Sequence, residues 1–145
     1  MTSDASPSAQ WRTYYEWKST TTSTLNDYSV AVRVTLPADF SSWSSTALTL
    51  NYNTNYTETA ANKVDMWIYN ATENATQYVC QKLTNASGTE KTWTTVTCSS
   101  TEMDDGTAPD WDAAGETAII MLRMYSKNTG YVQVGDIVLS YLAKF

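Results

Sequence analysis

The sequence predicts an all-β protein: a single antiparallel β-sandwich behind a polar N-terminal tail. Three observations carry that expectation. Tyr28 to Leu36 alternates strictly, with Tyr28, Val30, Val32, Val34 and Leu36 on one side and Ser29, Ala31, Arg33 and Thr35 on the other. A period of two is what a half-buried strand requires, because successive side chains point to opposite faces of a sheet. The alternation recurs down the chain, and no segment sustains a helical period, so an α-rich fold is not expected. At 145 residues the chain fits one domain and is long enough to bury a two-layer core.

Taken in order, residues 1–10 form a Ser-rich polar tail and 11–145 the folded domain. Such a tail has little to bury and is expected to be held by its own domain or by a neighbouring copy, as an inter-subunit arm. Trp11 to Trp17 sets Trp11, Thr13, Tyr15 and Trp17 against Arg12, Tyr14 and Glu16. After the Tyr28–Leu36 strand, residues 37–46 read as a turn-rich connection, with Phe40 and Trp43 plugging one end of the core. Ala47 to Asn53 puts Leu48, Leu50 and Tyr52 on one face. Lys63 to Asn70 puts Val64, Met66 and Ile68 inward, with Trp67 and Tyr69 outward. Thr76–Leu83 and Lys91–Cys98 alternate less cleanly. Thr117 to Tyr125 is apolar on both sides, with Ala118, Ile120, Leu122 and Met124 facing away from Ile119 and Met121. That pattern predicts a central strand covered on both faces. In the last segment, Val132 and Val134 define one parity, and Ile137, Leu139 and Tyr141 the other. The switch at Gly135-Asp136 predicts a bulge.

Composition narrows the function. Only 17% of residues are charged and the net charge is −6, while 24 Thr, 15 Ser and 9 Asn supply the polar surface. An acidic chain repels phosphate backbones, so nucleic acid is not an expected partner. There is no basic amphipathic stretch for a membrane surface and no apolar run of spanning length. Residues 1–10 lack the basic and apolar regions of a secretory signal; with Met1 as the initiator, the chain is expected to be made in the cytoplasm and, if it leaves, to leave by another route, such as lysis of a phage-infected cell. Histidine is absent, which removes Ser-His-Asp and Cys-His catalysis and His-ligated metals. The acidic residues cluster in one loop and the five glycines form no phosphate loop, so the chain is not expected to be an enzyme.

Three local patterns carry a resemblance. Tyr28–Leu36 with Pro37-Ala38-Asp39-Phe40 looks like an early core strand and its exit. Thr92-Trp93-Thr94-Thr95-Val96-Thr97 and Val134-Gly135-Asp136-Ile137-Val138-Leu139 resemble later strands of carbohydrate-binding modules. Tyr14-Tyr15-Glu16-Trp17 is similar to the start of the C-terminal domains of bacterial and phage fibre-like proteins. The resemblance covers about residues 11–145 and implies a jelly-roll β-sandwich of about eight strands. It transfers no binding residue, because a fold does not fix a function.

Candidate sites remain. The segment 102–116 holds six of the 15 acidic residues, and Asp104, Asp105, Asp110 and Asp112 could hold a structural calcium, although their spacing is not that of an EF-hand. The alternative is a solvated loop with a turn cap. Six Trp and ten Tyr are a heavy aromatic load. Trp67 and Tyr69, followed by Trp17, Tyr14 and Trp11, are candidates for stacking on sugar rings or for a subunit interface. Cys80 and Cys98 could form one bridge between neighbouring strands or remain small buried thiols. Asn55, Asn70, Asn74 and Asn85 lie in glycosylation sequons.

The expected function is that of a non-enzymatic, self-assembling structural protein without a resident cofactor. It would be a subunit of a virion, as a decoration or fibre-type part, or of an extracellular filament. Its partners would be copies of itself or another structural protein. The alternative is a carbohydrate-binding module or lectin-like adhesin at a cell surface, using exposed aromatics on glycans.

Overall fold

The computed structural model describes Thr2–Ser3, residues 13–74 and residues 76–145. It is a two-layer antiparallel sandwich, jelly-roll-like in form. Among the described residues the strands are β1 (Thr2–Ser3), β2 (Thr13–Lys18), β3 (Asn26–Thr35), β4 (Phe40–Thr54), β5 (Asn62–Asn70), β6 (Tyr78–Asn85), β7 (Thr94–Ser99), β8 (Thr117–Ser126) and β9 (Tyr131–Ala143). One sheet has the order β1-β2-β9-β4-β7, the other β3-β8-β5-β6. A single-turn helix, α1 (Ser100–Met103), follows β7; Glu102 accepts a hydrogen bond from the Ser99 N–H at 2.9 Å, and Met103 is fully buried. Trp11 and residues 4–10 of the tail lie outside the described residues. Thr2 pairs with Tyr14 and Ser3 with Thr13 of the same chain.

The core follows the alternation. Val64, Met66 and Ile68 of β5 and Ala118, Ile120 and Met124 of β8 have no exposed surface. They face Leu48 and Leu50 of β4 and Val132 and Val134 of β9 across the layers, while Val30, Val32 and Val34 pack at the margin. Each fully buried Val, Leu, Ile or Met side chain contributes roughly 1.5–3 kcal/mol. Tyr28 departs from its parity partners. It lies near the end of its strand, 53% exposed, and stacks on Trp17 with centroids 5.7 Å apart.

The bulge in β9 is present. Leu50 pairs with Ile137 and Tyr52 with Val134, so three steps on β9 oppose two on β4. The extra residue turns Ile137, Leu139 and Tyr141 back toward the core that Val132 and Val134 face.

Two expectations are corrected. The connection assigned to residues 37–46 is only a short turn, closed by the Phe40 N–H donating to the Pro37 carbonyl at 3.0 Å. Strand β4 already begins at Phe40, which pairs with Ala143, and Trp43 pairs with Tyr141. Four serines made this stretch look like a loop, but the ladder to β9 and the burial of Phe40 and Trp43 override local propensity. Both rings do fill one end of the core, together with Trp111: Phe40 lies 5.1 Å from Trp43, and Trp43 lies 5.1 Å from Trp111. The second correction concerns β8. It is central, but among the described residues no further layer covers its outer side, and Ile119 and Met121 remain half-buried.

Cys80 and Cys98 form a disulfide with Cα atoms 6.5 Å apart. It does not join hydrogen-bonded neighbours. Strand β6 edges one sheet and β7 edges the other, so the bridge staples the two layers along one margin. At the opposite margin the Trp17 Nε1–H donates to the Asn26 carbonyl at 2.9 Å.

Candidate functional site

The register of the four-stranded sheet lines up its outward side chains in rows. Ala31, Met121, Trp67 and Gln81 form one row across β3, β8, β5 and β6. Arg33, Ile119, Tyr69 and Tyr78 form the next. Trp67, Tyr69, Ile119 and Met121 are half-buried, and Tyr78 is 50% exposed. The result is a contiguous aromatic and aliphatic face. Arg33 stands at its β3 edge, and further charge lies beyond it, where Arg123 pairs with Asp27 at 2.7 Å and Lys63 sits 4.5 Å over the Tyr125 ring. An open depression of about 320 Å³, lined by Thr76, Gln77, Tyr78 and Pro109, borders the face at its β6 end.

The outer face of the five-stranded sheet is different in kind. Asn51 and Asn53 point outward from β4, since Leu50 and Tyr52 point in, yet both are buried, Asn53 to 5% exposure. They form the floor of a polar network. The Asn51 amide donates to Asp136 at 2.9 Å, and Gln133 donates to Glu16 at 2.7 Å. A carboxylate only accepts, so Gln133 must turn its NH₂ to Glu16 and its carbonyl oxygen to Asn53. Asn53 accordingly donates its own NH₂ to Gln133 at 2.8 Å. Its Oδ1 is left buried without a donor, the sole such side-chain atom among the described residues. Tyr131 completes the floor. Burial pushes its hydroxyl pKa up, and a hydrogen bond from Asn53 opposes that shift.

Two rings lean over this floor. Tyr14 of β2 and Trp93, just before β7, approach to 5.8 Å, although β9 and β4 lie between their strands. Gly135 makes this possible: a Cβ there would come within 3.1 Å of the Trp93 ring. The bulge thus supplies both the parity switch and the seat for an aromatic ring.

The remaining candidates are scattered. Trp17 packs against the core margin and is tied by its indole N–H. Asp104, Asp105, Asp110 and Asp112 share a segment, but among the described residues no group of three or more acidic, Cys or His side chains is placed to hold a metal ion. Asp110 and Asp105 act as turn acceptors, for the Asp105 N–H at 3.2 Å and the Thr107 N–H at 2.8 Å. Burial and the negative charges of Asp104, Glu116, Asp110 and Glu73 push the Asp112 carboxyl above its usual range. Glu116 accepts from the N–H groups of Asp112 and Ala113 at 3.0 Å each, closing the loop.

Among the sequons, Asn55 is buried and accepts from the Tyr131 N–H at 2.7 Å. Asn70 is fully buried, donates to the Asp110 carbonyl and accepts from the Thr72 N–H. Asn85 donates to the Val64 and Lys82 carbonyls, and Asn74 accepts from the Thr76 N–H. A glycan on Asn55 or Asn70 would displace those bonds.

No family model, curated protein or solved structure matches the chain.

Proposed function

We propose that this chain is a non-enzymatic structural protein that assembles with copies of itself, as a subunit of a virion (decoration or fibre type) or of an extracellular filament. The observation that carries the reading is the outer face of the four-stranded sheet. Its Trp67, Tyr69, Ile119 and Met121 form a continuous half-exposed apolar surface without a charged residue among them. Monomers rarely leave such a face to solvent, and subunit contacts favour aromatic and aliphatic groups at the centre with polar residues at the rim. A sugar site would instead interleave its rings with hydrogen-bonding groups, and here the neighbours of Trp67 and Tyr69 on the central strand β8 are Met121 and Ile119.

Light scattering and negative-stain microscopy on the full chain test the proposal. Wild type should form a defined multimer, while Met121→Arg and Ile119→Asp should be monomeric with unchanged β-sheet circular dichroism. A wild-type monomer at high concentration would sink the reading. Glycan-array binding lost in Trp67→Ala and Tyr69→Ala would favour an adhesin instead.

A further inference from the structure

The open edge of the four-stranded sheet shows a second way for copies to join. We propose that β3 pairs antiparallel with β3 of a second copy across a two-fold axis at Val30, merging two sheets into one of eight strands. This pairing rests on the self-assembly reading only in taking a second copy as the partner.

Strand β3 stands at the end of its sheet and runs for ten residues against β8 without a break in register. Its hydrogen-bonding parity can be read at its exit. The Leu36 N–H donates to the Glu116 carbonyl at 2.8 Å, one step past the Thr35–Thr117 pair. On the other side of β8, the Ala71 N–H donates to the Thr117 carbonyl at 2.8 Å. Even-numbered residues of β3 therefore bond to β8. Asp27, Ser29, Ala31 and Arg33 turn their N–H and C=O groups to the open edge, and all four are exposed. Edges are usually blunted by brevity, proline, lysine or a bulge. The other edge strands follow that rule: β1 has two residues, β7 has six, and the pairing of β5 with β6 shifts register twice. Strand β3 is long and unbroken, without proline or lysine.

The residues along β3 fit a second β3. Asp27 lies three positions before Val30, and Arg33 three after it. Antiparallel pairing centred on Val30 sets Asp27 of each copy opposite Arg33 of the other, and opposite charges across a ladder attract. Among the described residues Arg33 makes no ion pair. Asp27 accepts from Arg123 through Oδ2 at 2.7 Å, and a carboxylate has a second oxygen to offer. The same register puts Ser29 against Ala31, two small side chains. On the inner side it puts Val30 against Val30 and the 53% exposed Tyr28 against Val32, covering a margin that one copy leaves half open. With the axis normal to the sheet, Trp67, Tyr69, Ile119 and Met121 of both copies stay on one side, so the apolar face is doubled.

Oxidative crosslinking of the full chain, read on non-reducing gels, tests the register. Two Val30 Cα atoms would face each other at about 4.5 Å, within disulfide reach, while two Val32 Cα atoms would lie about 14 Å apart. Val30→Cys should give a covalent dimer and Val32→Cys should not. A mixture of Ser29→Cys and Ala31→Cys, both at exposed positions, should crosslink to each other and decides the register if Val30→Cys does not fold. Ala31→Pro removes an edge N–H and leaves the β8 ladder whole, so light scattering should show half the wild-type multimer mass or less, with unchanged circular dichroism. The proposal is overturned if Val32→Cys crosslinks as readily as Val30→Cys, or if none of these cysteines crosslinks. It is also overturned if wild type forms a multimer that Ala31→Pro leaves unchanged. A multimer held through Trp67 and Tyr69 without these crosslinks keeps the self-assembly reading and ends this one. A monomeric wild type whose Val30→Cys variant still forms the dimer at millimolar concentration does the reverse.

Discussion

Removing the Cys80–Cys98 bridge by the double substitution Cys80→Ala, Cys98→Ala should cost this domain a large part of its stability. The cysteines are separated by 18 positions in sequence. Closing a loop of that size removes about 11 cal/mol/K of entropy from the unfolded chain, or about 3 kcal/mol at 25 °C. Both sulfurs are buried, Cys80 at 2% and Cys98 at 0% exposure, so alanine also leaves a void between the sheets worth about 1 kcal/mol. At about 2–4 °C per kcal/mol for a domain of this size, Tm should fall by about 10 °C. Urea unfolding followed by tryptophan fluorescence, with calorimetry alongside, measures the change. The m-value should rise, because the unlinked denatured chain exposes more surface. Reducing the wild type should reproduce the entropic part alone. A loss below about 1 kcal/mol with an unchanged m-value would refute this reasoning and place the effect of the bridge outside the denatured-state entropy.

Other outcomes follow from particular residues. Trp111→Ala empties the most voluminous fully buried site and removes the ring that Trp43 packs on, so denaturant titration should show a loss of about 3–5 kcal/mol. Gly135→Ala drives a methyl to 3.1 Å from Trp93, and should shift the tryptophan emission and cost about 1 kcal/mol. Asp112 is raised above its ordinary pKa by burial and by neighbouring carboxylates, so its charged form opposes folding. Its favourable contribution is complete below the unfolded pKa and is lost as pH rises through the folded one. Asp112→Asn should therefore gain stability at pH 7, by roughly a few tenths of a kcal/mol after solvent screening, and the gain should vanish in acid. Glu102 runs the other way. Burial opposes its charge, but hydrogen bonds from Lys82 and Ser99 outweigh that and hold it below the ordinary range, so Glu102→Gln should lose stability above that range but not in acid.

The layers were legible because their signal is local. Val64, Met66 and Ile68, or Ala118, Ile120, Leu122 and Met124, declare an inward face within a few residues, and the parity break at Gly135 declares the bulge. Strand β4 was half hidden, because Ser41, Ser42, Ser44 and Ser45 speak for a turn and only the distant β9 ladder overrides them. Trp111 was concealed by the acidic residues around it. The outward positions of Trp67 and Tyr69 could be read from alternation, but not their union with Ile119 and Met121, which needs the pairing of β5 with β8. The polar floor was further out of reach. Its Asn53–Gln133 bond spans 80 positions and its Gln133–Glu16 bond spans 117, so only the order β2-β9-β4 assembles it. Tyr14 was visible as a candidate aromatic, whereas Trp93 read only as part of a strand.

The two sheets pack back to back, and their outer faces differ: one apolar, the other polar with a pair of rings. Such a sandwich has a direction. Its faces look opposite ways across two layers about 10 Å apart. Any surface that takes up the apolar side therefore leaves the polar side pointing directly away from it. A sheet of these molecules laid down through Trp67 and Tyr69 would present Tyr14, Trp93 and Asn53 on its far side in every copy. Orientation on such a surface would come from the unlikeness of the two faces, with no separate signal to set it.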